Sequence, residues 1–157
     1  MIGWNDDIEI DISAADCFYK ATDLEQCQRW IPQIQQIERL DSGTLTQGSR
    51  WRETRKEGKR LHTMELELFE SHSPAEGEPP YVHCAGAEMA TMKSYYRFIF
   101  EPISASRTRV RLEARVEAKR WWVGFFARLM TRLMKQSEHD LLQRLKAFCE
   151  EQVAAAQ

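Results

Sequence analysis

The first clear pattern along the chain is an alternation. Ile8, Ile10 and Ile12 interleave with Asp7, Glu9 and Asp11, giving a strand with one apolar and one acidic face. Ser13 then offers an N-cap hydroxyl, and Asp16 favours the positive end of a helix running to about Lys20. A second short helix is expected from Thr22–Asp23, ending by Ile31 because Pro32 disfavours helical geometry in the residue before it.

From about residue 34 to 117 the pattern is strand-like. Segment 34–41 ends at Ser42-Gly43, and Gly48 precedes a strand at 49–57. Glu57-Gly58-Lys59 reads as a tight turn into 60–70, which makes a hairpin. Pro74, Gly77, Pro79 and Pro80 mark 71–80 as a loop, since proline cannot donate to a sheet ladder. Strands are expected at about 81–89, 92–101 and 107–117, with Pro102 and Ser104–Ser106 as a turn between the last two.

Beyond Trp121 the period changes to that of a helix. Trp122, Phe125, Phe126, Leu129, Met130, Leu133, Met134, Ser137, Leu141, Leu145 and Phe148 fall on one broad face of a single rod reaching about Ala154. Such a rod spans about 50 Å at 1.5 Å per residue. Only a large curved surface covers an apolar face of that length. The expected fold class is therefore α+β: a seven-stranded curved antiparallel sheet wrapped around a long C-terminal helix, with two short helices after the first strand.

Composition narrows the function. The 157 residues suit one domain, 1–157, and 22 Lys and Arg against 24 Asp and Glu leave a net charge of −2. That balance argues against a polybasic nucleic-acid binder, so no nucleic-acid partner is expected. The longest apolar run without charge, Trp121 to Ala127, falls short of the ~20 residues of a membrane span. Asp6, Asp7, Glu9 and Asp11 argue against a signal peptide. Cys17, Cys27, Cys84 and Cys149 show no metal-ligand spacing, so they are expected as small buried hydrophobes in a cytoplasmic protein with no metal and no cofactor.

Several segments together resemble the START-like, or SRPBCC, superfamily with its helix-grip fold. They are Ile10-Asp11-Ile12-Ser13-Ala14, Arg29-Trp30-Ile31-Pro32, Gly48-Ser49-Arg50-Trp51, Met64-Glu65-Leu66-Glu67-Leu68 with Pro74 behind it, Tyr96-Arg97-Phe98-Ile99-Phe100-Glu101-Pro102 followed by Arg107-Thr108-Arg109-Val110, and Leu145-Lys146-Ala147-Phe148-Cys149-Glu150. The superfamily includes polyketide cyclase/dehydrase-like proteins and the birch-pollen allergen group. The resemblance implies a cavity between sheet and helix and leaves the ligand open, because its members share no common catalytic signature.

Strand parity selects the residues expected to line that cavity. Trp51 facing inward brings Glu53 and Arg55 with it; Met64 and Leu66 bring His62; Met92, Ser94, Tyr96, Phe98 and Phe100 share a face. Met130, Met134 and Ser137 are the expected lid from the helix, with thioethers suited to an irregular apolar ligand. Strand 81–89 leaves two faces open, one with Tyr81, His83, Ala85 and Met89, the other with Val82, Cys84, Gly86 and Glu88. Arg55 and His62 are candidates to orient an oxygen-bearing group. Against this, Arg55 lies two residues from a turn and could emerge at the sheet rim, and His62 reads more readily as a satisfied or rim histidine than as a catalyst.

Residues 119–135 carry Lys119, Arg120, Arg128, Arg132 and Lys135 and no acid. Trp121 beside Arg128 and Arg132 is a combination used at membrane surfaces, the plainer reading being a solvated basic face. The expected function is binding, transport or sequestration of a hydrophobic small molecule such as a lipid, quinone or polyketide-like compound, by a monomer or homodimer. One alternative is a polyketide cyclase/aromatase or dehydratase, with Glu53 or His62 as base and Arg55 or Tyr96 as donor. The other is a protein-interaction helper module. No Gly-x-Ser-x-Gly, HExxH, phosphate loop or dinucleotide fingerprint is present.

Overall fold

In the computed structural model, which describes residues 1–155, the alternating segments become seven strands. These are β1 (Ile2–Ile10), β2 (Ile34–Arg39), β3 (Arg50–Glu57), β4 (Arg60–His72), β5 (Tyr81–Glu88), β6 (Met92–Ser104) and β7 (Arg107–Ala118). They form one curved sheet in the order β1-β7-β6-β5-β4-β3-β2, every neighbouring pair antiparallel. Strands β2 to β7 are a simple meander. β1 closes the far edge by pairing Ile2 with Val116 and Ile10 with Thr108.

The parity of β7 sets the core. Val110, Leu112, Ala114 and Val116 are buried, while Arg109 and Arg111 on either side of Val110 are exposed. Over this face pack Ile10, Ile12, Phe18, Phe100 and Tyr81 together with Leu141, Leu142, Leu145, Phe148 and Cys149. Each large side chain fully withdrawn from water, such as Phe100 or Leu145, contributes roughly 1.5–3 kcal/mol. Thr108 is also fully buried, and its hydroxyl donates to the Ile12 carbonyl at 2.7 Å.

Two glycines bear on the pairing of β3 to β6. Gly58 adopts φ 60° in the β3–β4 turn, where a Cβ is disfavoured. Gly86 lies buried on β5, where a Cβ would run into the Ser94 carbonyl oxygen of β6.

Helix α1 (Ala14–Thr22) begins as expected: the Asp16 backbone N–H donates to Ser13 Oγ at 3.2 Å. The expected second helix is only a 3-10 turn, Cys27–Arg29, because the chain must already bend toward Pro32 and β2. Strand β6 does not stop before Pro102 but runs through it to Ser104, with a register shift between Pro102 and Ser104 that tolerates the missing donor.

The C-terminal helical segment differs from a single rod. A 3-10 turn at Trp121–Val123 leads into α2 (Gly124–Ser137), the chain breaks at Glu138–Asp140, and α3 (Leu141–Ala155) follows. The inward face of α2 differs too. Val123, Ala127 and Thr131 face the sheet, while Trp122, Phe125, Phe126, Leu129 and Leu133 are exposed. Small side chains let α2 lie close to β7, and this turns the bulky stripe outward.

Candidate functional site: a cavity between sheet and helices

A cavity of about 860 Å³ lies under α2, walled by β3, β4, β5, β6 and the segment around the 3-10 turn at Cys27–Arg29. Cross-strand pairing builds its floor. Trp51 faces Leu66, Glu53 faces Met64 and Arg55 faces His62 across β3 and β4. Ala85 faces Tyr96 and Ala87 faces Ser94 across β5 and β6, with His83 opposite Phe98. Residues directly opposite on antiparallel strands share a face, so one alternation on each strand delivers a continuous wall.

Trp51, Glu53, Arg55, His62, Met64, Leu66, Ser94, Tyr96 and Phe98 lie on this wall from the sheet, and Met130, Met134 and Ser137 from α2; Met92, expected on the same face of β6, packs against Val116 and Ala127 instead. Their positions differ in kind. Trp51 and Glu53 are buried. Arg55 points inward, with 17% of its side chain exposed. His62 stays at the rim, 38% exposed and 4.0 Å from Glu57. Ser137 is also at the mouth, and its hydroxyl donates to the Met134 carbonyl at 3.1 Å. The open choice on β5 resolves in favour of the face carrying His83, Ala85 and Ala87. Met89, beyond the strand, is exposed.

Apart from the face of β5 left open, sequence reasoning missed Cys27, Trp30, Leu133 and Glu138 as wall residues. Glu138 carried a readable signal. It continues the inward α2 series Ala127, Thr131, Met134 at helical spacing, an acid on a buried stripe. Such a residue needs a partner.

It has two. Glu138 Oε1 lies 3.3 Å from Arg55 Nη1, and Oε2 lies 3.0 Å from Arg144 Nη2. Arg55 Nε also donates to Glu53 Oε1, and Arg144 Nη1 donates to Gln33 Oε1 at 3.1 Å. The result is a buried four-member charge cluster that ties β3 to the α2–α3 break. Burial lifts the Glu138 carboxyl above the usual range, and the two guanidiniums counter this only in part. Burial alone would weaken the Arg55 charge, but Glu53 and then Glu138 outweigh it and hold Arg55 more firmly protonated than usual.

Three other polar groups on the wall, the Tyr96 hydroxyl and two indole N–H groups, have no hydrogen-bond partner among the described residues. The Tyr96 hydroxyl makes no hydrogen bond within the described residues; burial first and Glu138 second keep it protonated. The indole N–H groups of Trp30 and Trp51 are buried and unpaired. His83, half-buried against the cavity and edge-on to Phe18 at 6.5 Å, has its pKa lowered by burial to about 4 and is neutral near pH 7. The Cys27 thiol is pushed up to about 12, chiefly by burial, so it is no thiolate nucleophile.

All four cysteines are buried and free. Among the described residues no group of His, Cys, Asp and Glu has a metal-holding arrangement, and no helix is long and apolar enough to cross a membrane.

A curved sheet closed over helices around an apolar cavity defines a helix-grip protein. The chain belongs to the family described as polyketide cyclase / dehydrase and lipid transport, of the SRPBCC superfamily, which matches residues 1–150. No curated protein sequence matches it.

Solved structures resemble it in fold. The di-domain ARO/CYC BexL from the BE-7585A biosynthetic pathway superposes with a TM-score of 0.74 at 20% identity, over 96% of this chain and 47% of BexL. This chain thus spans about half the length of BexL. Norcoclaurine synthase from Thalictrum flavum, in complex with dopamine and hydroxybenzaldehyde, gives 0.67 at 11% identity over 94% of this chain and 86% of the synthase. Ara h 8.0201 gives 0.62 at 14% identity over 94% of this chain and 97% of that one. At these identities the likeness is one of fold.

Proposed function

We propose that this chain binds a hydrophobic small molecule in the cavity, with an oxygen-bearing group of the ligand set against Arg55 and Tyr96. The observation that carries the reading is the distribution of polarity. An apolar and aromatic wall is interrupted on one side by Arg55 and Tyr96, and neither the Tyr96 hydroxyl nor Arg55 Nη2 is paired with an acceptor among the described residues. A volume of about 860 Å³ suits a ligand of drug or lipid-fragment size. Lipids, quinones and polyketide-like compounds all combine an extended apolar body with such an oxygen.

Binding is favoured over acid–base catalysis by the state of the candidate bases. Glu53 is taken up by Arg55, and His62 stands at the rim beside Glu57. A poly-β-ketone cyclase needs a free base and a donor converging on one empty point.

Titration with anilinonaphthalene sulfonate, an apolar probe with an oxyanion, tests the reading. Wild type should bind it, Leu66→Trp should abolish binding by filling the cavity, and Arg55→Ala should weaken it about tenfold, the range of a charge-assisted hydrogen bond. Unchanged affinity in a folded Arg55→Ala protein removes the role given to Arg55.

A further inference from the structure

The surface of α2 and of the 3-10 turn before it is unlike the rest of the exterior. Trp121 is 93% exposed and Phe125 74%, and Trp122, Phe126, Leu129 and Leu133 are exposed beside them. Single exposed apolar residues are ordinary, but a contiguous aromatic strip over three helical turns marks a contact surface.

The charges around the strip have one sign. No acid occurs between Glu117 and Glu138, whereas Lys119, Arg120, Arg128, Arg132 and Lys135 do. Lys119 reaches Glu88 at 2.6 Å; the other cations form no ion pair with any described residue. At helical spacing Arg128, Arg132 and Lys135 form one row, and Phe125, Leu129, Phe126 and Leu133 continue around the helix from it.

We propose that this face docks on an anionic lipid bilayer, the aromatic strip entering the headgroup layer and the cationic row meeting acidic headgroups. An interfacial helix has this construction: bulky apolar side chains on one arc, flanked by lysine and arginine. A second copy of the chain fits less well. A two-fold dimer puts the same patch of both copies into one interface, so two cationic rows would lie in it with no acid on either face to neutralise them. An anionic bilayer supplies both the negative charge and the apolar depth. Leu133 belongs to the exposed strip and also to the cavity wall, and Met130 and Met134 lie just behind it. Docking therefore turns the cavity mouth toward the lipid. That last consequence rests on the ligand-binding reading, whereas the docking does not.

The test is co-sedimentation of the full chain with vesicles of phosphatidylcholine alone and of phosphatidylcholine mixed with phosphatidylglycerol. At low salt the mixed vesicles should retain the protein, neutral ones should hold it at least tenfold more weakly, and added salt should release it. Arg128→Glu with Arg132→Glu, and separately Trp121→Ser with Phe125→Ser, should each weaken binding about tenfold or more with the unfolding midpoint unchanged, because these side chains face solvent. Tyr96→Phe, which leaves the charge cluster between β3 and the end of α2 intact, should bind vesicles like wild type, which separates this result from any failure of the cavity reading. Absence of binding to mixed vesicles at low salt overturns the proposal. So does a dimer in sedimentation velocity that Trp121→Ser with Phe125→Ser dissolves.

Discussion

Glu138 and Arg55 lie 83 positions apart in sequence, and Glu138 Oε1 stands 3.3 Å from Arg55 Nη1 at the side of the cavity. The contact joins the break between α2 and α3 to the turnward end of β3. It places an acid where uninterrupted helical periodicity expects an apolar residue. Two arginines and two carboxylates share the burial, so each charge has a partner, but the partners are not interchangeable.

Arg55→Met should therefore destabilise the fold by about 3 kcal/mol, because Glu53 and Glu138 stay buried after their shared cation is gone. Glu138→Gln should cost less, since Arg55 keeps Glu53. Urea unfolding of both variants measures the difference. A loss below about 0.5 kcal/mol for Arg55→Met, the scale of ordinary surface changes, contradicts the cluster's role.

His83 predicts a pH dependence whose sign follows from its lowered folded pKa. Its pKa is about 4 in the fold and the ordinary 6.5 when unfolded, so between those values the unfolded chain holds more protons. Stability should be unaffected above about pH 6.5 and fall as pH drops toward 4, by at most roughly 3 kcal/mol from this residue. Subtracting the profile of His83→Leu isolates the effect from that of the carboxylates. Parallel profiles in the two proteins would falsify the assignment.

Tyr96→Phe should separate binding from stability. Its hydroxyl has no partner among the described residues, so its removal should leave the unfolding free energy within about 0.5 kcal/mol. Probe affinity should fall several-fold, the usual worth of one neutral hydrogen bond. A marked loss of stability would show that the hydroxyl serves the fold instead.

The cavity wall was legible in the sequence because a strand alternates with a period of two. Once Trp51, Met64 and Tyr96 face inward, Glu53, Arg55, His62 and Phe98 have no freedom left. The turn at Gly58 and the cap at Ser13 were equally local and equally readable. The orientation of α2 was not, since both of its sides carry apolar residues: Val123, Ala127, Met130 and Met134 on one, Trp122, Phe126 and Leu129 on the other. Bulk suggested that the aromatic side turns inward. Close approach to β7 instead selects the small one, and that depends on packing distance rather than period. The break at Glu138 escaped for a related reason, because its cause is Arg55, far away in sequence.

Native mass spectrometry of the freshly purified protein tests the central claim most directly. Wild type should carry a small molecule that is released on collisional activation, and Leu66→Trp, with the cavity filled, should run at the mass of the bare chain. Bare chain in both proteins, together with no uptake of anilinonaphthalene sulfonate by wild type, would contradict a ligand-holding cavity.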